Sequence, residues 1–327
     1  LFIVTKMSRI AGLPNADSKR AFDLSMKSQW LLRRRKPVVF ATGTPVSNTI
    51  AEMYTMQRYQ QPDMLAENNI SHFDSWAATF GEVVTSLEIA PDGSGYRMRS
   101  RFARFVNVPE LLQMYWQVAD VQTDATLQLE KPQLAGGKPI VVVAPASEVQ
   151  KKYIKSLVKR AEALRKERVD PRVDNMLKIT TDGRKAALDM RLMDTLADDF
   201  EMSKVNACIQ KIYEEWVDME ELKGTQLVFC DLSTPRGDGF SVYEDIREKL
   251  VGKGIPREEI AFIHEADTDQ KKKTLFVRVN FGRVRVLLGS TEKMGAGTNV
   301  QRLLGAEHHL DVPWRPRDVE RAPRMAA

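Results

Sequence analysis

Between residues 226 and 288, short unbroken apolar runs alternate with helical stretches, and few folds satisfy that order. The runs are Gln226-Leu227-Val228-Phe229-Cys230, Ile260-Ala261-Phe262-Ile263-His264 and Val284-Arg285-Val286-Leu287-Leu288. Each has the length of a strand and is apolar at successive positions, as in strands buried on both faces. The intervening stretches, 242–251 and 267–281, carry helical periodicity. Strand, helix and strand in alternation predict a parallel sheet with helices on both faces. The last run stops in Gly289-Ser290-Thr291-Glu292-Lys293-Met294-Gly295-Ala296-Gly297-Thr298-Asn299. Strand tips that open into small and polar residues are where α/β proteins hold ligands. An earlier segment repeats the arrangement: Pro37-Val38-Val39-Phe40, then Ala41-Thr42-Gly43-Thr44-Pro45-Val46-Ser47-Asn48. Two such transitions predict two α/β lobes facing one ligand or track.

Other segments read as follows. A helix is expected from Asp17 to Leu32, capped by Asp17 or Ser18, with Ala21, Leu24, Met26, Trp30 and Leu31 as its apolar stripe. The basic run Arg33 to Lys36 suits its C-terminus, and Pro37 ends it. Thr49 to Tyr59 reads as helical. Residues 60–134 read as a mostly helical excursion with a hairpin around the Pro91-Asp92-Gly93-Ser94-Gly95 turn. Pro139-Ile140-Val141-Val142-Val143 reads as another strand. Further helices are expected over Glu148 to Arg168 and Lys204 to Val217, the latter capped by Ser203.

The 327 residues carry a net charge of +5, with basic clusters at Arg33 to Lys36, Lys151 to Arg168 and Lys271 to Lys273. These suit a polyanionic partner, but from charge alone solvated helix faces are the preferred reading. Nothing approaches a membrane span. The two cysteines, Cys208 and Cys230, and the four histidines show no metal-ligand spacing. A reducing, cytoplasmic setting without a metal site is expected. The chain starts Leu1-Phe2-Ile3-Val4 rather than with Met, and reads as an internal piece of a longer protein.

Four segments resemble, in order and spacing, motifs of superfamily 2 helicases, the Snf2-like branch in particular. Ala41 to Asn48 resembles motif III, and Leu227 to Asp231 resembles motif IV. Gly289 to Asn299 resembles motif V. Asp311-Val312-Pro313-Trp314-Arg315-Pro316-Arg317-Asp318-Val319-Glu320-Arg321 resembles the run leading into motif VI. The wording is similar to large phage and mobile-element proteins that join such a helicase to a DNA methylase.

The resemblance implies RecA-like parallel sheets: a partial first lobe over residues 1–60, a mostly helical insertion over 61–200 and a nearly complete second lobe over 201–327. It implies coupling of ATP to DNA through Thr42, Gly43, Thr44, Asn48, Gly295, Gly297, Thr298 and Asn299. Arg321 and Arg324 align with the catalytic arginines of motif VI, but Pro323 stands where the family has glycine, so a basic tail is the other reading of these two. Trp314 reads as a packing anchor.

ATP, Mg2+ and double-stranded DNA are the implied ligands of the complete protein, with a covalently linked methylase domain as a further implication. This chain contains neither G-x-x-x-x-G-K-[ST] nor D-E-x-H, the phosphate cradle and the magnesium-holding acid box. It is therefore expected to bind no nucleotide cofactor and to be inactive alone. The alternative is a non-enzymatic nucleic-acid-binding or regulatory module descended from a helicase. A dinucleotide enzyme is disfavoured by the lack of G-x-G-x-x-G.

Overall fold

The computed structural model describes residues 3, 5–7, 10, 13, 18–43, 45–46, 49–89, 96–122, 126, 134–166, 170, 172–235, 239–294 and 298–312. The chain separates into two compact units, residues 1–90 with 94–129, and residues 130–327 with 91–93.

In the first unit, α1 spans Lys19–Leu32, and the Ser18 hydroxyl caps it by accepting from the Ala21 N–H at 3.3 Å. Arg35 ends the turn in the left-handed region (φ 56°), where the Lys36 N–H reaches back to the Leu31 carbonyl. The inward face of α1 is small rather than apolar. Ser28 is buried, and Ala21 offers its carbonyl to the Tyr59 hydroxyl at 3.0 Å. Leu24, Met26 and Trp30 of the expected stripe are exposed.

Helices α2 (Ala51–Gln60), α3 (Pro62–Glu67) and α4 (Phe73–Phe80) follow, then β1 (Gly81–Ile89), β2 (Tyr96–Phe105) and α5 (Val108–Tyr115). The strands pair antiparallel as the expected hairpin. Its base is tied to the helices at Gly81, where any Cβ would lie about 2.0 Å from the Phe102 ring. The core gathers Tyr54, Leu65, Phe73, Trp76, Phe80 and Phe102. Two polar side chains inside it are paired: Trp76 Nε1 donates to Gln57 at 2.7 Å, and the Gln61 amide donates to the Met114 carbonyl at 2.6 Å.

The second unit opens with α6 (Glu148–Lys166) and α7 (Met176–Leu188). Leu157, Ala161 and Ile179 pack between them, and Arg160 bridges Asp174 and Asp182 at 2.8 and 2.9 Å. Next come α8 (Lys204–Asp218), β3 (Thr225–Phe229), α9 (Val242–Gly252), β4 (Ile260–Phe262) and α10 (Asp269–Asn280). The last elements are β5 (Val286–Gly289), the single turn α11 (Thr291–Met294) and β6 (Leu304–His309). Ser203 caps α8 as expected, accepting from the Asn206 N–H.

Four parallel strands form a sheet in the order β4-β5-β3-β6. Side chains of a strand alternate between faces, and the core divides accordingly. Val228, Phe262, Val286 and Leu288 meet α8 and α9 on one face. Leu227, Phe229, Ala261 and Leu287 meet α10 and α11 on the other. This is an α/β architecture with a buried parallel sheet, compatible with a RecA-like lobe.

Two expected strands are not in any sheet. Val38–Phe40 and Ile140–Val143 stand outside any ladder; Val39 is 85% and Val143 86% exposed. A strand buried on both faces needs neighbours for its N–H and C=O groups, and among the described residues neither segment has one.

Candidate functional site at the strand tips

The topology marks one crevice in the second unit. β3 and β5 are neighbours, but the chain leaves β3 toward α9 on one face and leaves β5 toward α11 on the other. Such a divergence opens the sheet at its C-terminal edge. The residues that follow β3, β5 and β6 meet there.

Asp311, just past β6, is buried. Its carboxylate accepts from the Asp231 N–H at 2.9 and 3.0 Å and from the Leu232 N–H at 2.8 Å. The turn after β3 is thereby fixed, and its own carboxylate, Asp231 Oδ1, accepts from the Thr291 N–H at 2.6 Å. One serial brace thus joins the tips of β6, β3 and β5. The Tyr243 hydroxyl secures the same turn by donating to the Cys230 carbonyl at 2.6 Å. Burial raises the Asp311 carboxyl above its ordinary value, partly offset by the two N–H donors, and burial pushes the Cys230 thiol up.

The Gly-rich loop is built onto this brace. Gly289 ends β5 where a Cβ would stand about 2.6 Å from Ile263 and Met294, so only glycine lets the strand pass between them. The Ser290 carbonyl accepts from Lys293 and Met294, and this single turn brings Met294 into the core. Thr298 is buried, and its hydroxyl has no hydrogen-bond partner among the described residues. The exposed Asn299 gives its backbone carbonyl to the Asn280 amide at 2.7 Å.

Two further groups stand at the tips. The His309 ring stacks on Phe229 with centroids 4.8 Å apart. His264, past β4, lies edge-on to Tyr243, with Nδ1 buried and unpartnered among the described residues. Burial and the nearby Lys293 charge lower its pKa.

Of the residues singled out in the sequence, Thr298 and Asn299 follow this loop. Thr42 and Gly43 belong to the first unit, where both are exposed. Thr44, Asn48, Gly295, Gly297, Trp314, Arg321 and Arg324 lie outside the described residues. The brace itself, Asp231 and Asp311, is marked in the sequence by an acid at the end of an apolar run, at Cys230-Asp231 and again at Leu310-Asp311, which reads as a cap or as a lining of the cleft. Among the described residues, no group of three His, Cys, Asp or Glu could hold a metal ion, and no helix is long and apolar enough to cross a membrane.

Comparison with known families gives one match. Residues 1–123 fit a family described as a probable helicase domain. No curated protein matches the chain. The family match relates the N-terminal part of the chain to helicases.

Proposed function

We propose that this chain is part of an ATP-dependent DNA helicase or translocase of superfamily 2, Snf2-like in its motifs, whose complete form couples ATP hydrolysis to movement on duplex DNA. The family match over residues 1–123 carries the reading. The ordered motifs and the strand-tip crevice of the second unit support it.

Phosphoryl transfer asks a protein mainly for positioning and charge stabilisation. The groups present fit half of that task. Thr298 offers an orphaned buried hydroxyl beside a Gly-rich loop. The sequence contains no phosphate cradle, and no described carboxylate group suits Mg2+. In this reading the chain by itself is not expected to hold ATP and magnesium in a reactive pose. Its own residues do something simpler. Asp311 and Asp231 hold the chain where it leaves three strands, so the loop from Ser290 to Asn299 starts from a fixed point. Thr42, Gly43, Thr44 and Asn48 would act on the first lobe, with Gly295, Gly297, Thr298 and Asn299 contacting nucleic acid or nucleotide from the second. Arg321 and Arg324 would stabilise charge on the transferred phosphoryl group. A methylase domain in the same parent protein belongs to this reading.

Phosphate release tests the proposal. The purified chain is expected to show no DNA-stimulated release above background, and stimulated release would sink the account of an incomplete site. In a complete protein, Arg321→Ala should lower turnover by about a thousandfold if it acts as an arginine finger. Unchanged turnover removes Arg321 from the site.

A further inference from the structure

A cavity of about 990 Å3 lies in the second unit, between the start of α6 and the segment from Ala187 to Lys204. None of its lining residues belongs to the helicase-like motifs or to the strand-tip brace. One wall is apolar, from Val142, Pro145, Ile154, Leu188 and Met190. Lys151, Lys152, Lys155 and Lys204 also line it.

Four lysines and four acids, Glu148, Asp189, Asp198 and Asp199, line it, with Lys152 and Lys155 exposed, and three of the acids are already engaged. Glu148 is taken by Lys151 at 2.7 Å, Asp189 by Arg191 at 2.7 Å and Asp199 by Lys249. Asp198 is exposed. Lys152, Lys155 and Lys204 make no hydrogen bond or ion pair among the described residues. Lys204 matters most because it is partly buried. The charge of Asp311 draws on it, but the hydrogen bonds of that carboxylate come from the Asp231 and Leu232 N–H groups rather than from Lys204. The hydroxyls of Ser147 and Ser203 accept from their own helices. A partly buried cation without a partner is costly, and an anion supplied from outside would relieve that cost. The volume is that of a small-molecule site, apolar with a few placed polar groups.

We propose that this cavity binds a phosphate-bearing molecule of nucleotide size, with its phosphate at Lys204 and its body against the apolar wall. The proposal goes beyond the helicase reading and does not depend on it. Calorimetric titration of the whole chain with ADP, inorganic pyrophosphate, adenosine and a short oligothymidylate tests it. ADP should bind and adenosine should not. Lys204→Met should weaken ADP by about tenfold or more, and Lys204→Arg should retain it, which separates lost charge from lost folding. Ala146→Trp, which fills the cavity, should abolish binding. Displacement of ADP by the oligothymidylate would identify the phosphate as nucleic-acid backbone; ADP binding without displacement would identify a free nucleotide. The proposal is overturned if none of the phosphate compounds binds, or if Lys204→Met and Ala146→Trp bind ADP like the parent chain.

Discussion

Arg285 is a charged side chain placed inside the core. It stands within an apolar run, fully buried, at the end of the sheet opposite the strand tips. Its Nε donates to the Gly224 carbonyl at 3.1 Å and its Nη2 to the Trp216 carbonyl at 2.6 Å. The guanidinium lies 4.8 Å from the Trp216 ring centroid, and Trp216 Nε1 donates to Glu259, which stands 3.9 Å from Arg285. Removing one member of such a cluster leaves buried polar groups unmatched. Arg285→Ala should therefore cost about 3–5 kcal/mol in urea unfolding, whereas Arg285→Met, apolar and of similar length, should cost less than half of that. Equal losses would contradict this account. Asp311→Ala strands two N–H groups at once and should cost about 2–4 kcal/mol by the same measurement. The role of Arg285 was not legible in the sequence. The apolar run around Arg285 reads as a buried strand, but the carbonyls that make its burial tolerable lie 61 and 69 residues earlier. Ser203, by contrast, was legible as a cap because capping is local.

The elements divide along the same line between local and distant causes. The helices α8, α9 and α10 and the strands β3, β4 and β5 stand where periodicity places them, since each buries a face that its own sequence defines. The strands β1 and β2 pair as the expected hairpin. Strand pairing for Val38–Phe40 and Ile140–Val143 did not follow, because apolar character makes a segment strand-like but only a neighbour makes it a strand. The stripe of α1 failed for a related reason: Ala21 and Ser28 allow close approach to α2, so the larger side chains point elsewhere.

The strand β6 carries a test of its own. Burial raises the Glu307 carboxyl to about 7 and lowers the His308 imidazole to about 4. The Glu307 carboxyl thus binds its proton more tightly folded than unfolded. Its contribution to stability is full below its unfolded value and is lost as pH rises through about 7. For His308 the sign is reversed: its contribution is full above the unfolded value and is lost as pH falls through about 4. The two oppose each other on acidification. Glu307→Gln removes the gain and keeps the loss, so its stability should fall more steeply from neutral pH to pH ~5. A profile parallel to the parent chain would contradict the assignment.

At the scale of the whole molecule, a helicase-related N-terminal part precedes a unit whose parallel sheet ends in a braced, Gly-rich tip. The helicase-like segments could be picked out because each is written in consecutive residues. The brace behind the Gly-rich loop could not, because Asp231 and Asp311 are 80 residues apart. In the proposed account the chain grips the track and lacks the cradle that spends ATP. Binding to duplex DNA, followed by fluorescence anisotropy across a salt series, tests that claim most directly. The account predicts binding without nucleotide and an affinity that falls linearly on a log–log plot, with a slope of about −0.9 for each phosphate neutralised. No binding at low salt, or an affinity indifferent to salt, would contradict it.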